Sequence, residues 1–151
     1  MGVTLIVDGA NVMGSRADGW WRDRAGAMAR LHGELAELAV RGISGPVPGD
    51  GVPPDEPDPD ETGGSGAGDR WFPDIVLVVE GRTRAVLGRV SEAPGVRVVP
   101  ARGEGDDEIA DLAGRLPGRR IVVTADRELR RRCEAAGAAV TGPRWLTSLL
   151  A

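Results

Sequence analysis

The chain has 151 residues, 41% hydrophobic and 28% charged, with a formal net charge of −4. That length suits one domain with a real core, spanning 1–151, and leaves little room for a second. No apolar run approaches the roughly 18 residues of a membrane span, and Asp8 cuts off the N-terminal run Val3–Val7 too early for a secretory signal. A single cysteine excludes a disulfide framework or a cysteine-based zinc cage, so a cytoplasmic protein with no membrane partner is expected. All 19 basic residues are arginine. The absence of lysine excludes Schiff-base and P-loop chemistry and makes arginine abundance uninformative by itself.

In chain order, Val3–Val7 (VTLIV) is a buried strand. A helix is predicted from Asp23 to Val40, with Met28, Leu31, Leu35 and Leu38 on one face. The stretch Ser44–Asp69 then holds seven acids and no arginine, punctuated throughout by Pro and Gly. It is expected to be a long disordered acidic loop, leaving the rest of the chain mildly basic. Strands follow at Ile75–Glu80 and Val96–Pro100; the stretch between them, Arg82–Val90, is ambiguous, a short helix being one reading. A helix over Asp106–Leu116 turns Ile109, Leu112, Ala113 and Leu116 inward. Next come a strand, Arg120–Thr124, a helix, Asp126–Ala136, and a short strand, Ala139–Thr141. Pro143 opens a last helix docked by Trp145, Leu146, Leu149 and Leu150. His32 reads as an edge histidine and Cys133 as a buried structural thiol.

Strands alternating with helices imply an α/β fold, a mostly parallel sheet covered on both faces. Right-handed crossovers place the strand C-terminal ends along one edge, where such sheets bind ligands. Asp8 follows the first strand and Glu80 closes the second; Glu104, Asp106 and Asp107 follow the third, and Asp126 the fourth. Four strand ends therefore deliver carboxylates to one rim. Crowded carboxylates repel unless a positive charge joins them, and a hard divalent cation is the usual resolution. Mg²⁺ or Mn²⁺ at such a rim activates water and stabilises the leaving oxygen of a phosphodiester. Plainer roles exist for single residues. Asp106 and Asp126 sit where helices begin and suit N-caps, Asp8 suits a turn before Gly9, and Asn11 suits an Asx-turn or a helix cap.

Three motifs carry a family resemblance: VDGANV (Val7–Val12), GEGDDEIADLA (Gly103–Ala113) and TADREL (Thr124–Leu129). They resemble the NYN-domain ribonucleases of the PIN-like superfamily, nearest to the YacP-like branch. The resemblance implies a Rossmann-like three-layer α/β/α sandwich and metal-dependent ribonuclease activity with Mg²⁺ or Mn²⁺. It implies Asp8, Asp107 and Asp126 as metal ligands, Asp106 contributing, and Asn11 orienting Asp8 or a phosphate. Glu80 and Glu104 would stand behind these or reach the metal. The chain departs from its relatives in Glu80-Gly81, where Asp-Gly is common, and in Ala10, where an aromatic is common.

The expected partner is RNA, single-stranded or structured, together with factors associated with the ribosome or RNA processing. Arg82, Arg84, Arg102 and Arg127 flank the rim and suit a phosphate backbone. Trp20 and Trp21, after the Asp18-Gly19 turn, suit either base stacking or packing on the first helix. A nucleotide phosphohydrolase and a non-catalytic RNA-binding module are the rival readings. A dinucleotide-binding domain ranks last, since no G-x-G-x-x-G follows the first strand.

Overall fold

The computed structural model describes residues 2–17, 19–49, 70–80, 93–103 and 105–150. Its centre is a five-stranded sheet built from β1 (Val3–Asp8), β4 (Asp74–Val79), β5 (Val96–Pro100), β6 (Arg119–Val123) and β7 (Ala139–Thr141). The spatial order is β5-β4-β1-β6-β7, and each neighbouring pair runs parallel. The order reverses after β1, which sits at the middle of the sheet. Helices α1 (Gly9–Gly14), α2 (Arg24–Arg41), α3 (Gly105–Arg115), α4 (Arg127–Ala135) and α5 (Pro143–Thr147) connect and cover it.

The pleat sorts the core into two layers, because successive side chains of a strand point to opposite faces. Leu5, Val7, Ile75, Leu77, Val79, Ile121 and Val123 pack with residues of α1, α2 and α5. Ile6, Val76, Val78 and Val122 pack with Ile109, Leu112 and Ala113 of α3 and with Leu129 and Cys133 of α4. Each fully buried Leu or Ile of these layers contributes about 1.5–3 kcal/mol. The result is the expected three-layer α/β/α sandwich, Rossmann-like and PIN-like in form.

Helix α2 begins at Asp23, whose carboxylate accepts from the Gly26 amide at 3.0 Å, and ends at Gly42 with φ of 78°. It buries Met28, Leu31, Leu35 and Leu38, and His32 with them. His32 is thus a core residue rather than an edge one, and burial lowers its pKa. Leu146 and Leu150 dock the C-terminal segment, although α5 itself ends at Thr147.

The insertion is more ordered at its N-terminal end, Ser44–Gly49, than expected. β2 (Ile43–Ser44) and β3 (Arg70–Trp71) form a two-residue antiparallel ladder, so Ser44 belongs to a strand. Trp71 donates its indole N–H to the Gly45 carbonyl at 3.1 Å and stacks on Trp145 with ring centres 6.3 Å apart. Val47 packs against the core. Short apolar residues between the prolines were enough to anchor this stem. Residues 50–69, Arg82, Arg84, Glu104 and the ambiguous stretch Arg82–Val90 lie outside the described residues. No helix of the described residues is long and apolar enough to cross a membrane.

Candidate acidic site at the strand C-terminal ends

The alternation that sorts the core also aims the rim. Ile6, Val78 and Val122 point toward α3 and α4, so Asp8, Glu80 and Thr124, each two residues further on, leave the sheet on that side. Asp8 is the last residue of β1 and only 8% exposed. Its Oδ2 accepts from the Thr124 hydroxyl at 2.9 Å, and its Oδ1 from the Asn11 amide at 3.3 Å. The second contact makes Asp8 the N-cap of α1, a short helix where the sequence suggests only a turn.

Gly9 is explained by space rather than by turn geometry. A Cβ there would lie 2.6 Å from the Val78 carbonyl oxygen and 3.0 Å from the Met28 methyl carbon. Only glycine lets α1 start this close to β4. Asn11 then reaches across the rim, its Oδ1 accepting from the Ala125 amide at 2.9 Å. Thr124 serves two neighbours, donating to Asp8 and accepting from the Asp126 amide at 3.2 Å. These contacts lock the exits of β1 and β6 together.

Asp126 is the N-cap of α4, its Oδ1 accepting from the amides of Glu128 and Leu129 at 3.0 and 3.1 Å. The capping role foreseen for Asp106 falls elsewhere. Helix α3 starts at Gly105, and the amide of Gly105 donates to Glu80 Oε2. A side chain at Gly105 would collide with that carboxylate, its Cβ lying 2.7 Å from Oε2. Glu80 therefore joins the end of β4 to the positive end of α3. Its longer side chain spans a gap that an aspartate at the same position would not.

The two aspartates of α3 diverge. Asp106 is half-buried and acts electrostatically on Asp8, as does Glu80. Asp107 is 79% exposed and pairs with Arg132 of α4, Nη2 to Oδ1 at 3.0 Å. Among the described residues, the acids acting on Asp8 are thus Asp106 and Glu80, with Asp107 turned toward α4. Burial, more than any neighbour, raises the Asp8 pKa from 3.8 to about 6; Thr124 and Asn11 pull it down, Asp106 and Glu80 push it further up. Beneath them, Cys133 is fully buried, and burial raises its thiol pKa to about 11, leaving it an inert structural side chain.

The donors here are carboxylate oxygens, the chemistry that suits a hard divalent cation. Among the described residues, however, no group of three acids, histidines or cysteines is arranged to hold a metal ion. Asp8 and Asp106 interact electrostatically, and carboxylate oxygens are donors that Mg²⁺ takes in ones and twos, with water or phosphate in its remaining positions.

Of the candidate RNA contacts, Trp20 packs partly buried against the core under the Arg24 guanidinium, 5.1 Å from the ring centre. Trp21 meets it edge-on and is 56% exposed. Arg102 and Arg127 are both exposed at the rim. Thr124 is the site residue that sequence reasoning missed. Its signal was present: it follows Val123 with the same parity as Asp8 after Val7.

No family model and no curated protein matches the sequence. The fold does have solved counterparts. The structure is similar to Rae1 (YacP) from Bacillus subtilis, with a TM-score of 0.65 and 17% identity over 97% of this chain and 72% of that one. A single-site mutant of the same protein gives 0.60 and 18%, covering 99% and 75%. What is shared is the fold.

Proposed function

We propose that the chain is a metal-dependent ribonuclease that hydrolyses RNA phosphodiesters at the Asp8 rim. The observation that carries this reading is the buried Asp8 carboxylate, tied by Thr124 and Asn11 and flanked by two further acids. Placing an acid where burial and like charges oppose its ionisation is costly unless a cation or a protonation role compensates. The motif resemblance to NYN-domain ribonucleases and the fold likeness to Rae1 (YacP) support the same reading.

Asp8 and Asp106 would hold Mg²⁺ or Mn²⁺, which when bound activates water and offsets charge on the phosphodiester. The protein's own part is orientation. Thr124 and the Asn11 amide fix the Asp8 carboxylate, and the Asn11 side chain fixes the loop at Ala125 that leads to Asp126. Asp126 keeps its Oδ1 on two backbone amides, and its Oδ2 faces no described hydrogen-bond donor. Exposed Arg102 and Arg127 supply positive charge for the phosphate backbone.

The test offers single-stranded RNA and nucleoside triphosphates side by side, with Mn²⁺, Mg²⁺ or EDTA. RNA cleavage that needs the metal and falls at least about a hundredfold in Asp8→Asn supports the proposal. Turnover of nucleotides alone selects a phosphohydrolase, and metal-independent RNA binding that survives Asp8→Asn selects a binding module.

A further inference from the structure

Helix α4 reads Arg127-Glu128-Leu129-Arg130-Arg131-Arg132-Cys133-Glu134-Ala135 and starts at the acid rim, where Asp126 caps it. Leu129 and Cys133 are its buried face. At 3.6 residues per turn, Arg127 and Arg131 stand one above the other on the opposite, exposed face, with half-buried Arg130 beside them. Arg132 is taken by Asp107. Among the described residues, the side chains of Arg127, Arg130 and Arg131 make no hydrogen bond or ion pair.

Several arginines of the N-terminal part of the chain are engaged instead, whereas Arg102 is exposed at the rim. Arg16 is held by Glu34 through two contacts at 2.6 and 2.9 Å. Arg22 lies 5.9 Å from the Trp21 ring centre, and Arg24 lies over Trp20. The asymmetry is reinforced by placement. Arg127 occupies the first position of α4, where the helix dipole opposes a cation, and Arg131 repels it from one turn below. Such an arrangement is relieved by an anionic partner lying along the helix. The pleat sends Asp8, Glu80 and Thr124 out on this same α3–α4 side of the sheet.

We propose that the outer face of α4, through Arg127, Arg130 and Arg131, is a track for the sugar–phosphate backbone of a nucleic-acid strand, leading it to the acidic rim. The choice of RNA as the strand rests on the ribonuclease reading above. The spacing of one helical turn brings successive guanidinium groups to successive phosphates, a contact that positions the strand without reading its bases.

The experiment measures binding of fluorescently labelled oligouridylate by anisotropy in EDTA, over a series of salt concentrations. The triple variant R127Q/R130Q/R131Q is compared with R30Q/R97Q/R144Q, which removes the same charge from exposed arginines elsewhere. The α4 triple should weaken binding by at least about tenfold and reduce the slope of log K against log salt by about 2, as three lost phosphate contacts on a single strand require. The control triple should keep most of both. Equal losses in the two triples, or no loss in the α4 triple, overturn the track. Should the α4 triple fail to fold, the double variant R127Q/R131Q on the exposed ridge carries the same test. A protein that binds RNA through α4 and never cleaves it with Mn²⁺ discards the ribonuclease reading and leaves the track standing. Cleavage with unaltered binding in the α4 triple discards the track alone.

Discussion

At the junction of β1 and β6, Asp8 is held by uncharged donors, the Thr124 hydroxyl and the Asn11 amide, and Asn11 bridges on to Ala125. Across the rim, where β4 meets α3, the acids meet positive counterparts. Glu80 takes the first amide of α3, and Asp107 takes Arg132. The difference is one of charge balance. Hydrogen bonds fix the Asp8 geometry without cancelling its charge, whereas the helix terminus and the arginine neutralise much of theirs. The charge that hydrogen bonding leaves uncancelled is therefore that of Asp8, on which Asp106 and Glu80 act electrostatically.

Breaking the two halves should give unequal losses. Asp106→Asn should lower metal-dependent RNA cleavage by about 10²–10³-fold, while Asp107→Asn should cost several times less, since Asp107 faces Arg132 and solvent. Single-turnover rates at saturating Mn²⁺ make the comparison. Equal losses would restore the equal roles that the motif alone implies for Asp107 and its neighbours.

Stability should respond in the opposite sense to activity. Because burial raises the Asp8 pKa from 3.8 to about 6, its stabilising contribution is complete below pH 4 and is lost as pH rises through 6. By pH 7.5 the ionised carboxylate costs up to about 3 kcal/mol, and Asp8→Asn removes that cost. Thermal melts of both proteins in EDTA should show the variant gaining stability at pH 7.5 and losing that gain at pH 4. A variant less stable at every pH would mean that Thr124 and Asn11 outweigh burial.

The two rim glycines sharpen the contrast further. Gly9→Ala presses a methyl onto the Val78 carbonyl, which cannot give way, and should cost about 2–3 kcal/mol. Gly105→Ala meets the mobile end of Glu80 and should cost about 1 kcal/mol, as read by urea denaturation. The smallest effect is expected for Arg132→Gln. Its pair with Asp107 is largely exposed, so its loss should change stability by less than about 1 kcal/mol in the same assay.

Much of this was legible in the chain. The β-branched runs Val3–Val7 and Ile75–Glu80, and the spacing of Met28, Leu31, Leu35 and Leu38, found their elements to within a residue or two, because burial fixes both periods. The gathering of strand ends followed from topology. The finer arrangement did not. Asp106 and Asp107 are adjacent and chemically alike, and only the direction of α3 against α4 decides which one turns toward Asp8. Glu80 shows in the sequence only as a departure from the common Asp-Gly, whereas in the structure its length serves the gap to Gly105. The role of Gly9 depends on how near β4 passes, a distance no local pattern encodes. The short ladder Ile43–Ser44 with Arg70–Trp71 escaped notice because two residues leave no periodicity to detect.

That ladder also has a practical side. With Ile43 opposite Trp71, Ser44 opposite Arg70, and Trp71 stacked on Trp145, the two ends of the acidic segment are clasped to the body at one point. The entropy of closing a loop at such a clasp grows only slowly with loop length. The clasp is therefore a natural port for splicing in a reporter or an affinity handle, provided the exchange spares Gly45 and Val47 and begins beyond Gly49.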